Sequence, residues 1–200
     1  MGNTVGSTSA NLCNFFEDQK DAYILGLWCA DSYWWSSSIG LSNTNRELIE
    51  KFRSFLIGKG FPEDRIRYNR DHLFVNSRPL LREFVAGKKM LEKMDKEKTI
   101  WPYLAGRFDG DGCIDGDLRK DCRIVYTTAE EANFDRKLLK KLGIRQTTIY
   151  YYRTSSTFVL YFSRFIAREF VRKIIPYSLK LQRLALVSRR DLVSLQRQET

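Results

Sequence analysis

The 200-residue chain has one histidine, His72, and four cysteines, Cys13, Cys29, Cys113 and Cys122, with no CxxC pair among them. A structural zinc site built from clustered Cys and His is therefore not expected, and the cysteines are expected to be free, mostly buried thiols in a reducing compartment. No run of about 18 apolar residues is present, so no membrane-spanning helix is expected. The opening MGNTVGSTSA lacks the basic-then-apolar plan of a secretory signal. The expectation is a soluble intracellular protein of the cytoplasm or nucleoid, or of an organelle that encodes or imports it, with no membrane partner. Acidic charge is also short: 24 Asp and Glu stand against 34 Lys and Arg, a net +10. Such an excess points to a polyanionic partner, nucleic acid first. With 43% hydrophobic and 14% aromatic residues, the chain can bury a real core.

The chain repeats itself. SRPLLREFV (77–85) and SRFIAREFV (163–171) share six of nine residues at an offset of 86. Earlier, AYILGLWCADS (22–32) lies against PYLAGRFDGDG (102–112), matching Tyr23 with Tyr103, Gly26 with Gly106 and Asp31 with Asp111 at an offset of 80. The second half thus holds six extra residues, which fall most economically in the hairpin after the motif.

Each half reads as helix, hairpin, helix, hairpin, helix. A β-prone stretch covers 33–42 in the first half and 112–127 in the second, with a turn near 117–121. TNRE (44–47) and TAEE (128–131) fit capping boxes that open amphipathic helices, and Gly58 and Gly143 are placed to stop them. Further strands are expected near 64–69 with 73–76, and near 147–153 with 157–162. The fold class is α+β: two tandem αββαββ(α) repeats. The expected organisation is a flexible N-terminus (1–12), a first repeat (13–87), a charged linker (88–98), a second repeat (99–177) and a basic amphipathic helix (178–200).

Gly26 with Ala30, and Gly106 with Gly110, are spaced i, i+4, which puts small residues on one helical face where two backbones can approach. Helix packing alone does not explain an aspartate after that face in both copies. The negative end of the helix macrodipole disfavours a carboxylate. Two such helices packed side by side would bring Asp31 and Asp111 together at one end, where they repel unless a cation intervenes. Oxygen ligands with few protein neighbours suit Mg²⁺, which keeps waters and takes further ligands from phosphate. Metal-assisted phosphodiester hydrolysis needs that arrangement.

ILGLWCADS (24–32) and LAGRFDGDG (104–112) resemble the two signature helices of LAGLIDADG homing endonucleases in their single-chain, two-repeat form. The resemblance spans about residues 20–195. It implies a pseudo-twofold axis with the motif helices at the centre and two antiparallel sheets forming a DNA-binding saddle. It also implies a monomer that cuts double-stranded DNA with Mg²⁺, Mn²⁺ or Ca²⁺ substituting in binding. Carried over, the metal-binding acids are Asp31 and Asp111, the backbone carbonyls of Ala30 and Gly110 are secondary ligands, and Lys180 is the basic residue beside the scissile phosphates. Asp109 matches an earlier acid of the motif that does not bind metal, so a capping or packing role is expected. Trp28, Cys29, Ser32 and Arg107 depart from the pattern, and Lys180 has no clear counterpart in the first half, which weakens the case for symmetric cleavage.

Strand alternation offers a DNA-facing set. With Ile124 and Tyr126 inward, Arg123, Val125 and Thr127 point outward; with Ile66 inward, Arg65, Arg67 and Asn69 do so. Tyr151, Arg153 and Ser155 are the matching set in the second half. Asp115 lies on the hairpin, Arg119, Lys120 and Arg70 at hairpin tips, and Tyr33 and Trp35 on the first hairpin. Asymmetric recognition is expected, with more base contacts from the second half. The competing reading is a cleavage-deficient regulator or an RNA maturase that binds its host intron RNA. Two retained carboxylates, which repel phosphate, argue against a pure binder.

Overall fold

The computed structural model describes residues 18–93, 96–115 and 121–184. The first half runs α1 (Gln19–Asp31), β1 (Ser32–Trp35), β2 (Ser38–Ser42), α2 (Arg46–Gly58), β3 (Arg67–Asn69), β4 (His72–Asn76) and α3 (Arg78–Met90). The second runs α4 (Lys96–Asp111), β5 (Gly112–Asp115), β6 (Asp121–Tyr126), α5 (Ala129–Lys141), β7 (Thr147–Tyr152), β8 (Thr157–Phe162) and α6 (Arg164–Ile174). Residues 179–184 are again helical. The fold is α+β, with two four-stranded antiparallel sheets of order β1-β2-β4-β3 and β5-β6-β8-β7, the repeat expected from the sequence. The 1–12 segment and most of 178–200 lie outside the described residues. The charged stretch 88–98 is not all linker, because α3 enters it to Met90 and α4 starts at Lys96.

The repeated SRxxxREFV stretch shows why the halves match. Its serines are the N-caps of α3 and α6, and Ser77 Oγ accepts from the Leu80 N–H at 3.3 Å. Its phenylalanines, Phe84 and Phe170, are fully buried; Phe84 meets Trp28 edge-on at 5.1 Å and Phe170 stacks on Phe162 at 4.2 Å. The same ring thus anchors each helix in its half, Phe84 against rings of α1 and α2 and Phe170 against Phe162 of β8.

Three local readings are corrected. The cap of α2 is Asn45, not Thr44: Asn43 Oδ1 accepts the Asn45 N–H at 2.7 Å, and this bend delays the helix by one residue. Thr128 does cap α5, accepting from the Glu131 N–H at 3.2 Å. Gly58 is the last residue of α2, and the left-handed residue beyond it is Gly60 at φ +86°; Gly143, at +92°, holds that place after α5. Finally, only three of the six extra residues lie in the first hairpin of the second half. Ser32 pairs with Leu41 and Gly112 with Ile124, while the remaining three come later, where β7 and β8 are longer than β3 and β4.

At the centre, α1 and α4 form the most extensive contact of any two elements. A Cβ on Gly26 would stand 1.9 Å from the Tyr103 carbonyl oxygen, and one on Gly106 would stand 2.0 Å from that of Tyr23. The backbones touch at both points, so the two motif glycines are required as expected.

Candidate functional site

Asp31 and Asp111 are the last residues of α1 and α4, and each helix runs straight into an edge strand, β1 or β5. The acids thus sit at the two junctions where a central helix passes into its sheet. A Cβ on Gly110 would lie 2.4 Å from Ala30 Cβ and 2.5 Å from Asp31 Oδ2. The carboxylate of one half therefore rests on the last turn of the other. The two carboxylates and the carbonyls of Ala30 and Gly110 all belong to these abutting helix ends, where the final carbonyls lack intrahelical donors.

Both acids are hard to ionise. Burial pushes Asp111 up to about 7; Arg107 and Lys180 oppose this, while the charges of Asp31 and Glu131 add to it. Asp31 is also raised by burial, moderated by a 2.8 Å hydrogen bond from Asn43 Nδ2 and by Arg107 and Lys180. Among the described residues no group of three or more His, Cys, Asp or Glu side chains could hold a metal ion. The protein's share of a ligand shell would thus be two carboxylates and backbone carbonyls. Such an all-oxygen set suits hard cations such as Mg²⁺, Mn²⁺ or Ca²⁺ and leaves positions for water or phosphate. Mutual repulsion of two half-buried carboxylates is what a bound cation would relieve.

Lys180 reaches this site by a specific route. Asp109, 1% exposed, accepts from Leu179 N–H at 2.7 Å, Lys180 N–H at 3.3 Å, the Ser178 hydroxyl, and Tyr23 Oη at 2.6 Å. It caps the helix that begins after Ser178, as its expected structural role requires. The Lys180 ammonium then lands on the end of α4, donating to the carbonyls of Gly112 at 2.7 Å and Phe108 at 3.3 Å. A cation there also complements the helix macrodipole.

Beneath the acids lies a charge network that no motif announced. Arg107 is 1% exposed, pairs with the equally buried Asp135 at 3.3 Å and covers the Tyr126 ring at 4.6 Å. Tyr103 and Tyr126 hydroxyls donate to Asp135 at 2.9 Å each. Burial is the largest single influence and works against the guanidinium's charge, but Asp135 together with Tyr103, Tyr126 and Cys29 outweighs it and keeps Arg107 ionised. Asp135 itself is raised by burial, with Arg107 and the two tyrosines opposing. Glu131 bridges Arg107 to Lys88 of α3 and so links the two halves.

The sheet faces away from the helices form the second part of the site. Register places Tyr33, Trp35, Arg67 and Asn69 on that face of the first sheet, and Arg123 with position 115 on that of the second. Arg70 occupies the β3–β4 tip at φ 57°, and Thr127 is exposed just beyond β6. Arg119 and Lys120 lie outside the described residues. Two expected contacts are placed differently. Arg65 is exposed but belongs to a short 3-10 turn, Glu63–Arg65, because Pro62 precedes it and the Ile66 N–H closes on the Glu63 carbonyl. Tyr151 is on the wrong face: it pairs with Phe158, next to the buried Ile149–Leu160 row, so Tyr150 and Tyr152 face outward instead, and Arg153 follows the phase of Tyr151. Sequence reasoning also missed His72, Phe74, Tyr161 and Cys113 on the outer faces, and Asn43 at the acid. Alternation could have found Phe74 and Tyr161; nothing in the sequence marks Asn43.

Residues 100–197 match the LAGLIDADG-like domain family. No curated protein matches the sequence. Among solved structures, I-DmoI in complex with DNA and Ca is similar over 84% of this chain and 97% of that chain, with TM-score 0.62 and 21% identity. I-DmoI in complex with DNA and Mn gives 0.61 and 19%, covering 78% and 96%. The N-terminal LAGLIDADG domain of DUF199/WhiA is similar at TM-score 0.59 and 15% identity, covering 82% and 86%. Residues 100–197 thus match a LAGLIDADG-like domain, and the described residues as a whole have the two-repeat LAGLIDADG fold.

Proposed function

We propose that the chain is a divalent-cation-dependent, site-specific endonuclease of the homing type that hydrolyses phosphodiester bonds in double-stranded DNA as a monomer. The observation that carries this reading is the meeting of Asp31 and Asp111 at two abutting helix ends, half-buried and raised in pKa, with no third acidic ligand among the described residues. A pure binding surface gains nothing from two such groups, since both repel phosphate. I-DmoI, called a homing endonuclease, was crystallised with its target DNA and Mg, Mn or Ca, which supports a divalent ion here. The WhiA domain shares the fold, so the acids, not the fold, distinguish the cleaving from the binding reading.

In this proposal Asp31 and Asp111 hold the cation with the carbonyls of Ala30 and Gly110. A cation bound there would supply an activated water and neutralise charge on the leaving oxygen. Lys180 presents its ammonium beside Asp111, where it stabilises negative charge on the phosphate, and Asp109 fixes that lysine through the helix cap. The sheets grip the duplex through Arg67, Arg70 and Arg123 and read bases from their outer faces.

The test is cleavage of a randomised or genomic duplex library with Mg²⁺, followed by sequencing of ends. Discrete cut sites that vanish with chelator are expected. Retention of duplexes without any cut in Mg²⁺ or Mn²⁺ would replace this reading with the binding one.

A further inference from the structure

The outer face of the first sheet carries an aromatic row of which the expected contacts included Tyr33 but neither Phe74 nor His72. Tyr33, Gly40 and Phe74 are cross-strand neighbours on β1, β2 and β4. Gly40 contributes no side chain, so the two flanking rings close over the gap to a centroid distance of 5.2 Å. A Cβ at Gly40 would stand 2.6 Å from Phe74 Cβ and 2.1 Å from the Leu73 carbonyl oxygen. Tyr33 also stacks on His72 at 4.8 Å with 21° between the planes. The result is a fixed aromatic floor on a face turned away from the core, where Leu41, Leu73 and Val75 point the other way. Folding does not need it there.

We infer that this row reads thymine methyl groups, so that the half-site under the first sheet is specified by A·T pairs rather than by guanine contacts. The inference rests on the reading of the sheets as the duplex-binding face. In the major groove each base edge offers hydrogen-bonding groups, and thymine alone adds an apolar feature, the C5 methyl. A ring-carbon surface has little to offer the N7 and O6 of guanine or the amino group of cytosine, and covering either without a partner carries a penalty. Arg67, on edge strand β3 opposite Phe74, supplies one charged neighbour at the margin of the row and suits a guanine or phosphate there.

The experiment uses a duplex that the full chain retains from a randomised library in Ca²⁺, resynthesised with deoxyuridine in place of thymidine in one half-site at a time. Only methyl groups are removed, so the first comparison leaves the protein unchanged. In one half-site the substitution is expected to weaken binding about fourfold for each methyl buried against a ring. That discrimination should disappear in Tyr33→Ser and Phe74→Ser, whose side chains lie off the core face. Equal affinity for thymidine and deoxyuridine duplexes would overturn the inference while leaving the duplex-binding reading intact. Discrimination that persists unchanged in both variants would overturn it too. Failure to retain any duplex would instead refute the proposed function, and this inference with it.

Discussion

Asp111→Asn is expected to cripple the protein's chemistry and strengthen its fold at once. The Asp111 carboxyl moves from an ordinary 3.8 to about 7 on folding, a shift of about three units at about 1.4 kcal/mol each. The group is only partly buried, so screening by solvent reduces that ceiling to about 1–2 kcal/mol. Its sign follows from proton counting. Between pH 4 and 7 the native state holds a proton that the unfolded state has released, so native stability falls as pH rises through this window and stays reduced above it. Asparagine never ionises and escapes the penalty. Without metal the variant should therefore melt about 2–8 °C above the parent at pH 8, and at the same temperature near pH 4. Millimolar Mg²⁺ should raise the parent's melting temperature by binding the native state, and should do little for the variant. Cleavage should fall at least about a hundredfold if Asp111 holds the cation as proposed. A variant that cuts at the parent's rate, or melts below it at pH 8, would refute the reasoning.

Other expectations follow from the same geometry. Gly106→Ala must part α1 from α4, because the new Cβ meets backbone atoms of Tyr23 and Leu27; a loss of about 3 kcal/mol in denaturant titration is expected. Gly58→Ala, in open space at the end of α2, should gain about 0.5 kcal/mol and serves as its control. Asp109→Ala should slow cleavage about tenfold, and its effect should not add to that of Lys180→Met, because Asp109 acts through the lysine it positions. Additive losses in single-turnover assays would contradict that role. Cys113 is exposed on the outer face of the second sheet, whereas Cys29 is buried with its thiol pushed up to about 11. Peptide mapping after thiol modification at pH 8 should find Cys113 labelled quickly, Cys29 only on unfolding, and Cys113 protected when a cognate duplex is bound.

Much of the architecture was legible because the repeat constrained it twice. Every strand and helix expected from 19 to 174 exists, and Gly26, Gly106, Asp31 and Asp111 occupy the places their spacing implied. The errors have physical sources. Thr44 lost the cap to Asn45 because an asparagine two residues upstream bent the chain. Tyr151 was assigned outward because YYY has no internal alternation, and only pairing of Ile149 with Leu160 fixes its phase. Arg107 looked like a disruption of the motif helix. Its partner, Asp135, lies on α5 at a separation that periodicity cannot connect, so the buried network was not visible until both helices were placed.

That network also explains why the halves are chemically unequal despite their shared fold. At the place of Arg107 the first motif has Leu27, and at the place of Asp109 it has Cys29. Tyr23 accordingly sends its hydroxyl across to Asp109, under a Lys51 ammonium 4.6 Å from its ring, whereas Tyr103 stays within its own half on Asp135. The cations that act on both Asp31 and Asp111 are Arg107 and Lys180, and both belong to the second half. Asp31 has a neutral Asn43 instead of a lysine of its own. The first half thus lends a carboxylate to a centre whose charge balance, lysine and helix cap are set by the second, and duplication of the fold has not duplicated the electrostatics.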